Sequence, residues 1–228
     1  MRKLLDIGLP LVALSLLVIG GYWGLFIAPT EREMGEVYRI IYVHVPSAWI
    51  SLVAFTVTMI ASVTYLLNGK WGADILAEAS AEVGVFFSVL VLFTGSIWGK
   101  PTWGVYWTWD PRLTTAAIMT FAFAGYLALR HFVDVPRKRA AWAAVTAVII
   151  YVDIPLVWFS VKWWNTLHQV QSSPQTVSSE MVIPLRISAF AFLFTYIFFT
   201  RIRHQIGKKR LDLELGELPP ASTQGGVA

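Results

Sequence analysis

The chain has 228 residues, of which 56% are hydrophobic and 14% charged, and a formal net charge of +4, with a mean hydropathy of +0.60. This composition lies outside the soluble globular range and places the protein among membrane proteins. Its pI near 9.4 does not mark a nucleic-acid partner, because the basic residues gather at the ends of apolar runs, and the absence of cysteine excludes disulfides, thiolate metal sites and thiol nucleophiles.

Six segments are long enough to cross a hydrocarbon core of about 30 Å, which takes roughly 20 helical residues each. The expected fold is therefore an all-α polytopic membrane protein with six transmembrane helices. Ile7 to Ala28 carries no charge, exceeds the apolar core of a signal peptide and lacks a small-residue cleavage pattern, so a retained helix is expected. Val45 to Leu67 is likewise uncharged, and Pro46 suits the first turn of that helix. The third helix is expected over Ala79 to Trp98 with Glu82 near its start, and the fourth over Leu113 to His131. The fifth runs from Ala140 to Val161 and contains Asp153 and Pro155, the latter expected to kink it. The sixth runs from Met181 to Thr200, interrupted by Pro184 and Arg186. Beyond Lys209 the chain turns polar and ends in small residues. The expected division is a transmembrane domain over 1–201 and a flexible cytoplasmic tail over 202–228, with one short helical turn around Leu211 to Leu218.

Six spans put both termini on one side. Twelve of the eighteen Lys and Arg residues fall at the N-terminus, in loops two and four, and at the C-terminus; Arg32, Arg39, Lys100, Arg112, Lys162 and Arg186 fall on the other side. The positive-inside rule then gives cytoplasmic termini, with loops one, three and five facing outward. His131 and His204, beside Arg130 and Arg203, read as parts of the basic cytoplasmic rim.

Loop three carries the densest signal. Trp98, Trp103, Trp107 and Trp109 fall within twelve residues, in a segment that must lie on the membrane surface, hold a flat apolar ligand, or do both. Two outward histidines flank it. His44 ends loop one immediately before helix two, and His168 follows helix five beside the pair Trp163 and Trp164. Neutral imidazole is a strong ligand for iron, copper or zinc, and no third histidine or cysteine is available outside for a zinc site. A flat apolar wall with an imidazole on each side suits haem; a purely structural aromatic belt suits the same residues. Arg39 and Arg112 face outward against the charge trend. They call for an anionic partner, which is a haem propionate, one of Glu31, Glu33, Glu36 and Asp110, or lipid phosphate. Asp110 precedes Pro111 as an N-cap of helix four. Asp153 and Glu82 are the acids within the spans and have no evident partner.

The segment Trp98-Gly-Lys-Pro-Thr-Trp-Gly-Val-Tyr-Trp-Thr-Trp-Asp-Pro-Arg-Leu-Thr114 resembles the tryptophan-rich "WWD" signature of haem-handling proteins in c-type cytochrome biogenesis. Tyr42-Val-His-Val-Pro-Ser-Ala-Trp49 and Trp163-Trp-Asn-Thr-Leu-His-Gln169 resemble the two histidine segments of the CcmC type, in the same order and over nearly the whole chain to Thr200. The resemblance implies a bacterial inner-membrane protein, not an enzyme, that holds b-type haem non-covalently and transiently at the periplasmic face. It implies His44 and His168 as axial ligands and the loop over 98–114 as a cradle, with Trp98, Trp103, Trp107, Trp109 and Asp110 as platform. Arg39 and Arg112 would be propionate partners. Haem would pass to a periplasmic, membrane-anchored haem chaperone (CcmE type), alongside the ABC-transporter complex of the same maturation system. Nothing is implied for Asp153 or the tail.

Two other readings compete. A haem exporter would need a lined route through the helices, for which only Asp153 and Glu82 are polar enough. A membrane enzyme is the third: a haem lyase shares the signature but calls for a large periplasmic domain, and a lipid-linked glycosyltransferase calls for more outward acids to hold a divalent metal.

Overall fold

The computed structural model describes residues 2–168 and 177–217. Among these residues the regular structure is entirely helical, apart from one isolated bridge between Glu31 and Gly35 in the first loop. Six segments are long and apolar enough to cross a membrane, so this is a multi-pass all-α membrane protein.

Helix α1 (Arg2–Tyr22) runs on through a π-helical turn, Trp23–Ile27. Gly24 is required there, because a Cβ would lie 2.6 Å from Cδ2 of Tyr42. A 3₁₀ turn, Glu36–Ile40, leads directly into α2 (Ile41–Asn68). His44 therefore sits inside the first turn of α2 and Pro46 lies within the helix, where a loop histidine and an N-terminal proline had been expected. The 3₁₀ turn accounts for the difference: it starts the helix upstream of Pro46. Gly69, with φ of 64°, ends α2 in the left-handed conformation that glycine allows.

Helix α3 (Trp71–Trp103) is longer at both ends than its apolar run. Asp74 and Glu78 lie within its first turns because Arg130 pairs with both, at 2.7 Å and 3.1 Å. Helix α4 (Pro111–Phe132) begins as expected, with Asp110 as N-cap accepting from the Arg112 amide and Pro111 at the first position. The fifth span is two helices, α5 (Pro136–Ile150) and α6 (Asp153–Trp163). The break falls at Tyr151, four residues before Pro155. Proline has no N–H for the carbonyl four residues back and clashes with it, and the Tyr151 carbonyl instead accepts from the Ile154 amide at 3.0 Å. The expected kink is thus a turn displaced toward the N-terminus. Helix α7 (Ser179–Glu217) includes Pro184 and continues through the boundary expected at residue 201. At 39 residues it is about 58 Å long, more than the roughly 45 Å of a bilayer with its headgroups. The helical turn expected around Leu211 is the end of this helix; residues 218–228 lie outside the described part.

Helices α2 and α3 form the central pair. Ala54 and Phe55 of α2 sit so close to Gly84 of α3 that a Cβ there would lie 2.8 Å from the Phe55 ring. Helix α7 packs on both, with α1 outside it; α4 packs on α3, and α5 packs on α2 and α4. Past the break, α6 packs mainly on α4. A wedge between α2 and α6 lies at one end of the bundle, and Leu52 and Met119, which line it, pack against Phe55 and Phe123, stacked at 3.8 Å and fully buried.

The opposite end is held by ion pairs. Arg130 is only 4% exposed; Arg203 of α7 pairs with Glu82, which gives that acid a partner; Arg201 pairs with Asp6 at 2.8 Å; and Arg139 pairs with Glu214. Asp153, at the start of α6, keeps a buried Oδ2 with no hydrogen-bond partner.

Candidate functional site

The wedge contains a cavity of about 210 Å³ lined by His44, Trp98, Trp103, Trp107, Arg112 and His168, among others. It descends to Leu52 of α2 and Met119 of α4. Leu52 is two helical turns below His44, a depth of about 12 Å.

His44 is buried against α3. Its Nδ1 lies 2.9 Å from Oγ1 of Thr94, and that hydroxyl donates to the Leu90 carbonyl at 2.6 Å. Since the hydroxyl proton is already committed, Thr94 accepts and Nδ1 of His44 donates. Nε2 is then the unprotonated nitrogen, the one with a lone pair to offer. Trp98 meets the imidazole edge-on, with ring centres 5.5 Å apart. Gly95 leaves the room the ring needs, because a Cβ there would stand 3.0 Å from Cε1 of His44.

His168 comes from the loop after α6. Asp110 ties that loop to the start of α4: its carboxylate accepts from the Thr166 hydroxyl at 2.7 Å and from the Leu167 amide at 2.7 Å, besides capping the Arg112 amide at 2.9 Å. Burial alone would raise the Asp110 pKa, but these hydrogen bonds outweigh it and hold the carboxyl below its usual range. The His168 amide in turn donates to Oγ1 of Thr166 at 3.1 Å. Trp103 flanks the His168 ring at 6.4 Å.

The two imidazoles, 124 positions apart in sequence (168 − 44), stand with ring centres 6.4 Å apart and planes inclined by 31°. Two imidazoles clasping one metal through bonds of about 2 Å place their ring centres roughly 6 to 6.5 Å apart. Among the described residues no group of three or more His, Asp or Glu side chains could hold a metal. The site thus brings two imidazoles together beside an aromatic wall, residue types that suit a metal bringing its own equatorial ligands.

The remaining expected site residues divide. Arg112 lines the cavity; its guanidinium donates to the Val157 carbonyl at 3.1 Å, and no carboxylate among the described residues forms an ion pair with it. Arg39 does not line the cavity. It pairs with Glu36 and donates to the Gly24 carbonyl at 2.8 Å. Trp109 is 83% exposed and borders a shallow depression with Asp110 and Leu167, outside the main cavity. Trp107 lines the cavity and meets Trp109 edge-on at 5.9 Å. Asp110 lies behind the wall, as the tether of the His168 loop. Sequence reasoning missed Thr94 and Thr166, whose hydroxyls act on the two histidines. Their only sequence signal is a polar residue amid apolar or aromatic neighbours, which threonine often is. Gln169 lies outside the described residues.

The family model described as "Heme exporter protein C" matches residues 2–215. The chain belongs to that family. It is similar to the heme exporter protein C of Bradyrhizobium diazoefficiens, 39% identical over 202 residues, covering 86% of this chain and 76% of the relative. It is similar also to the heme exporter protein C of Escherichia coli K12, 37% identical with 86% and 80% covered. A putative cytochrome c biosynthesis ccmC-like mitochondrial protein of Marchantia polymorpha is 39% identical, with 81% and 80% covered. The heme exporter protein C match takes in all six spans and every candidate site residue.

Proposed function

We propose that this protein holds haem at the outer end of its bundle, His44 and His168 clasping the iron, and delivers it for c-type cytochrome maturation. The 6.4 Å separation of the two imidazoles, with Nε2 of His44 turned from its hydrogen bond, is the observation that carries the reading. The family membership supports the cargo. Haem here is a transient, non-covalently bound b-type cargo, and the protein performs no covalent chemistry on it.

Trp98, Trp103 and Trp107 face the macrocycle, and Arg112 takes a propionate. Its placement in the cavity, with no carboxylate among the described residues in ion-pair contact, supports that role. We give Arg39 a structural role, because reaching a propionate would break its contacts to Glu36 and Gly24. Exposed Trp109 rests in the membrane interface or against the acceptor. That acceptor is a periplasmic, membrane-anchored haem chaperone, working with the ABC-transporter complex of the same system. The basic end of the bundle, with both termini and the residues beyond 201, faces the cytoplasm of a bacterium's inner membrane. A cavity of about 210 Å³ is smaller than the roughly 300–1,000 Å³ that encloses a drug-sized ligand. Haem would be gripped along part of its surface, which suits cargo that must leave. The buried Phe55–Phe123 stack, against which the cavity-lining Leu52 and Met119 pack, favours a surface site over a route through the bilayer.

The test is haem binding by detergent-purified full-length protein beside His44→Ala and His168→Ala. Both variants are expected to lose most of the Soret absorbance that the wild type retains after haemin addition and washing. Unchanged spectra in both would contradict the ligand assignment.

A further inference from the structure

The seat of His44 shows how the site sets the strength of its own grip. Four groups on α3 define it: the Leu90 carbonyl, the Val91 carbonyl, which also accepts from His44, the Thr94 hydroxyl and the open space over Gly95. Thr94 donates to Leu90 at 2.6 Å and receives Nδ1 of His44 at 2.9 Å, and both side chains are buried. The chain of hydrogen bonds runs one way only, from imidazole to hydroxyl to backbone carbonyl. A backbone carbonyl at the far end cannot reverse it, since it has no proton to give. The ring cannot turn about its long axis without losing this bond. On its other side, the contact over Gly95 leaves no room for even a methyl group without displacement.

We propose that Thr94, with Gly95 beside it, is a positioning residue for His44, fixing the Nδ1–H tautomer and presenting Nε2 to the cargo iron. This rests on the assignment of His44 as an iron ligand. The chemistry of the acceptor matters as much as its place. A carboxylate accepting the Nδ1 proton would make the imidazole strongly electron-donating and the iron hard to release. A neutral hydroxyl orients the ring with a smaller gain in basicity, so the ligand is pre-aligned while the affinity stays finite. Thr94 is thus a tuning point between capture and release.

The experiment has one arm without haem and one with it. In full-length, haem-free protein labelled with ¹⁵N-histidine, the His44 resonances, assigned by their loss in His44→Ala, are expected to show an unprotonated Nε2. Thr94→Val should weaken that preference, with the Val91 carbonyl left as acceptor, and Thr94→Ser should keep it. On haemin titration, Thr94→Val is expected to bind about 10- to 100-fold more weakly, and Thr94→Ser to bind as the wild type does. The weakening should fall more on ferric than on ferrous haem, because the ferric ion draws more on a basic ligand. The midpoint potential then rises by about 59 mV for each tenfold difference. If Thr94→Val does not fold, as read by helical circular dichroism, Gly95→Ala takes its place. It should displace the ring and weaken binding with the helical signal intact. The proposal is overturned if Thr94→Val keeps the tautomer and the affinity, if Thr94→Ser fails as badly as Thr94→Val, or if Gly95→Ala, used in its place, binds as the wild type does. Should His44→Ala bind haem like the wild type, the ligand assignment fails instead, and the tautomer measurement still judges Thr94 alone.

Discussion

The two histidines are brought within 6.4 Å of each other, ring centre to ring centre, by different means. His44 is fixed within a helix and backed by Thr94, whereas His168 stands on a loop held by Asp110. The Asp110 carboxylate serves three donors at once, two of them on that loop. Asp110→Asn keeps one acceptor oxygen and loses the charge and the other, so the loop should loosen at a cost of about 1–3 kcal/mol. Haem binding should fall while the helix content stays. A wild-type haem titration curve in that variant would contradict the tethering role. The pH dependence follows with its sign: a carboxyl held below its unfolded value of 3.8 stabilises the fold fully above that value, and the contribution disappears as pH falls through the lower, folded value. The melting temperatures of wild type and Asp110→Asn should therefore draw together as pH falls below 3.8. The sequence exposed these histidines because imidazoles are rare in it and tryptophans surround them. It could not separate Arg112 from Arg39, since both are outward arginines near acids; only the fold shows that one lines the cavity and the other is engaged with Glu36 and Gly24.

At the level of helices, hydrophobic runs marked all six spans but not their ends. Helix α3 starts eight residues before the expected Ala79 because Asp74 and Glu78 are neutralised by Arg130 of α4, a long-range pairing with no local trace. Removing one partner of such a buried pair costs about 3–5 kcal/mol. The α5–α6 break was legible as Pro155, but its position at Tyr151 depends on the carbonyl four residues back. The neighbours of the two halves were not legible at all: α5 packs on α2 and α4, whereas α6 packs mainly on α4. Close packing of α2 on α3 keeps one wall of the cavity in place. Gly84→Val would force atoms into Phe55 and Ala54, and overpacking of this kind costs about 1–3 kcal/mol. Because Phe55 packs against Leu52, which lines the cavity, the variant should lose both melting temperature and haem affinity. A variant with a lowered melting temperature and unaltered affinity would show that this packing does not shape the site.

Across the whole molecule, chemistry is segregated by end. His44, His168, Trp98, Trp103, Trp107 and Arg112 cluster at one end, and Asp74, Glu78, Arg130, Arg139 and Glu214 at the other. The protein has no cysteine, so single-cysteine variants report their sidedness without background. In intact cells, a membrane-impermeant maleimide should label Tyr106→Cys and leave Lys138→Cys unlabelled until the membrane is opened. The reverse pattern would invert the orientation and remove the site from the compartment of its acceptor. The central claim, however, is that two distant imidazoles share one iron. The electron paramagnetic resonance spectrum of the ferric-haem-loaded full-length protein tests it most directly. A low-spin signal of two axial imidazoles is expected in the wild type, lost or converted to high-spin in His44→Ala and in His168→Ala. A wild-type spectrum that is high-spin, or a low-spin spectrum that survives either substitution, would contradict it.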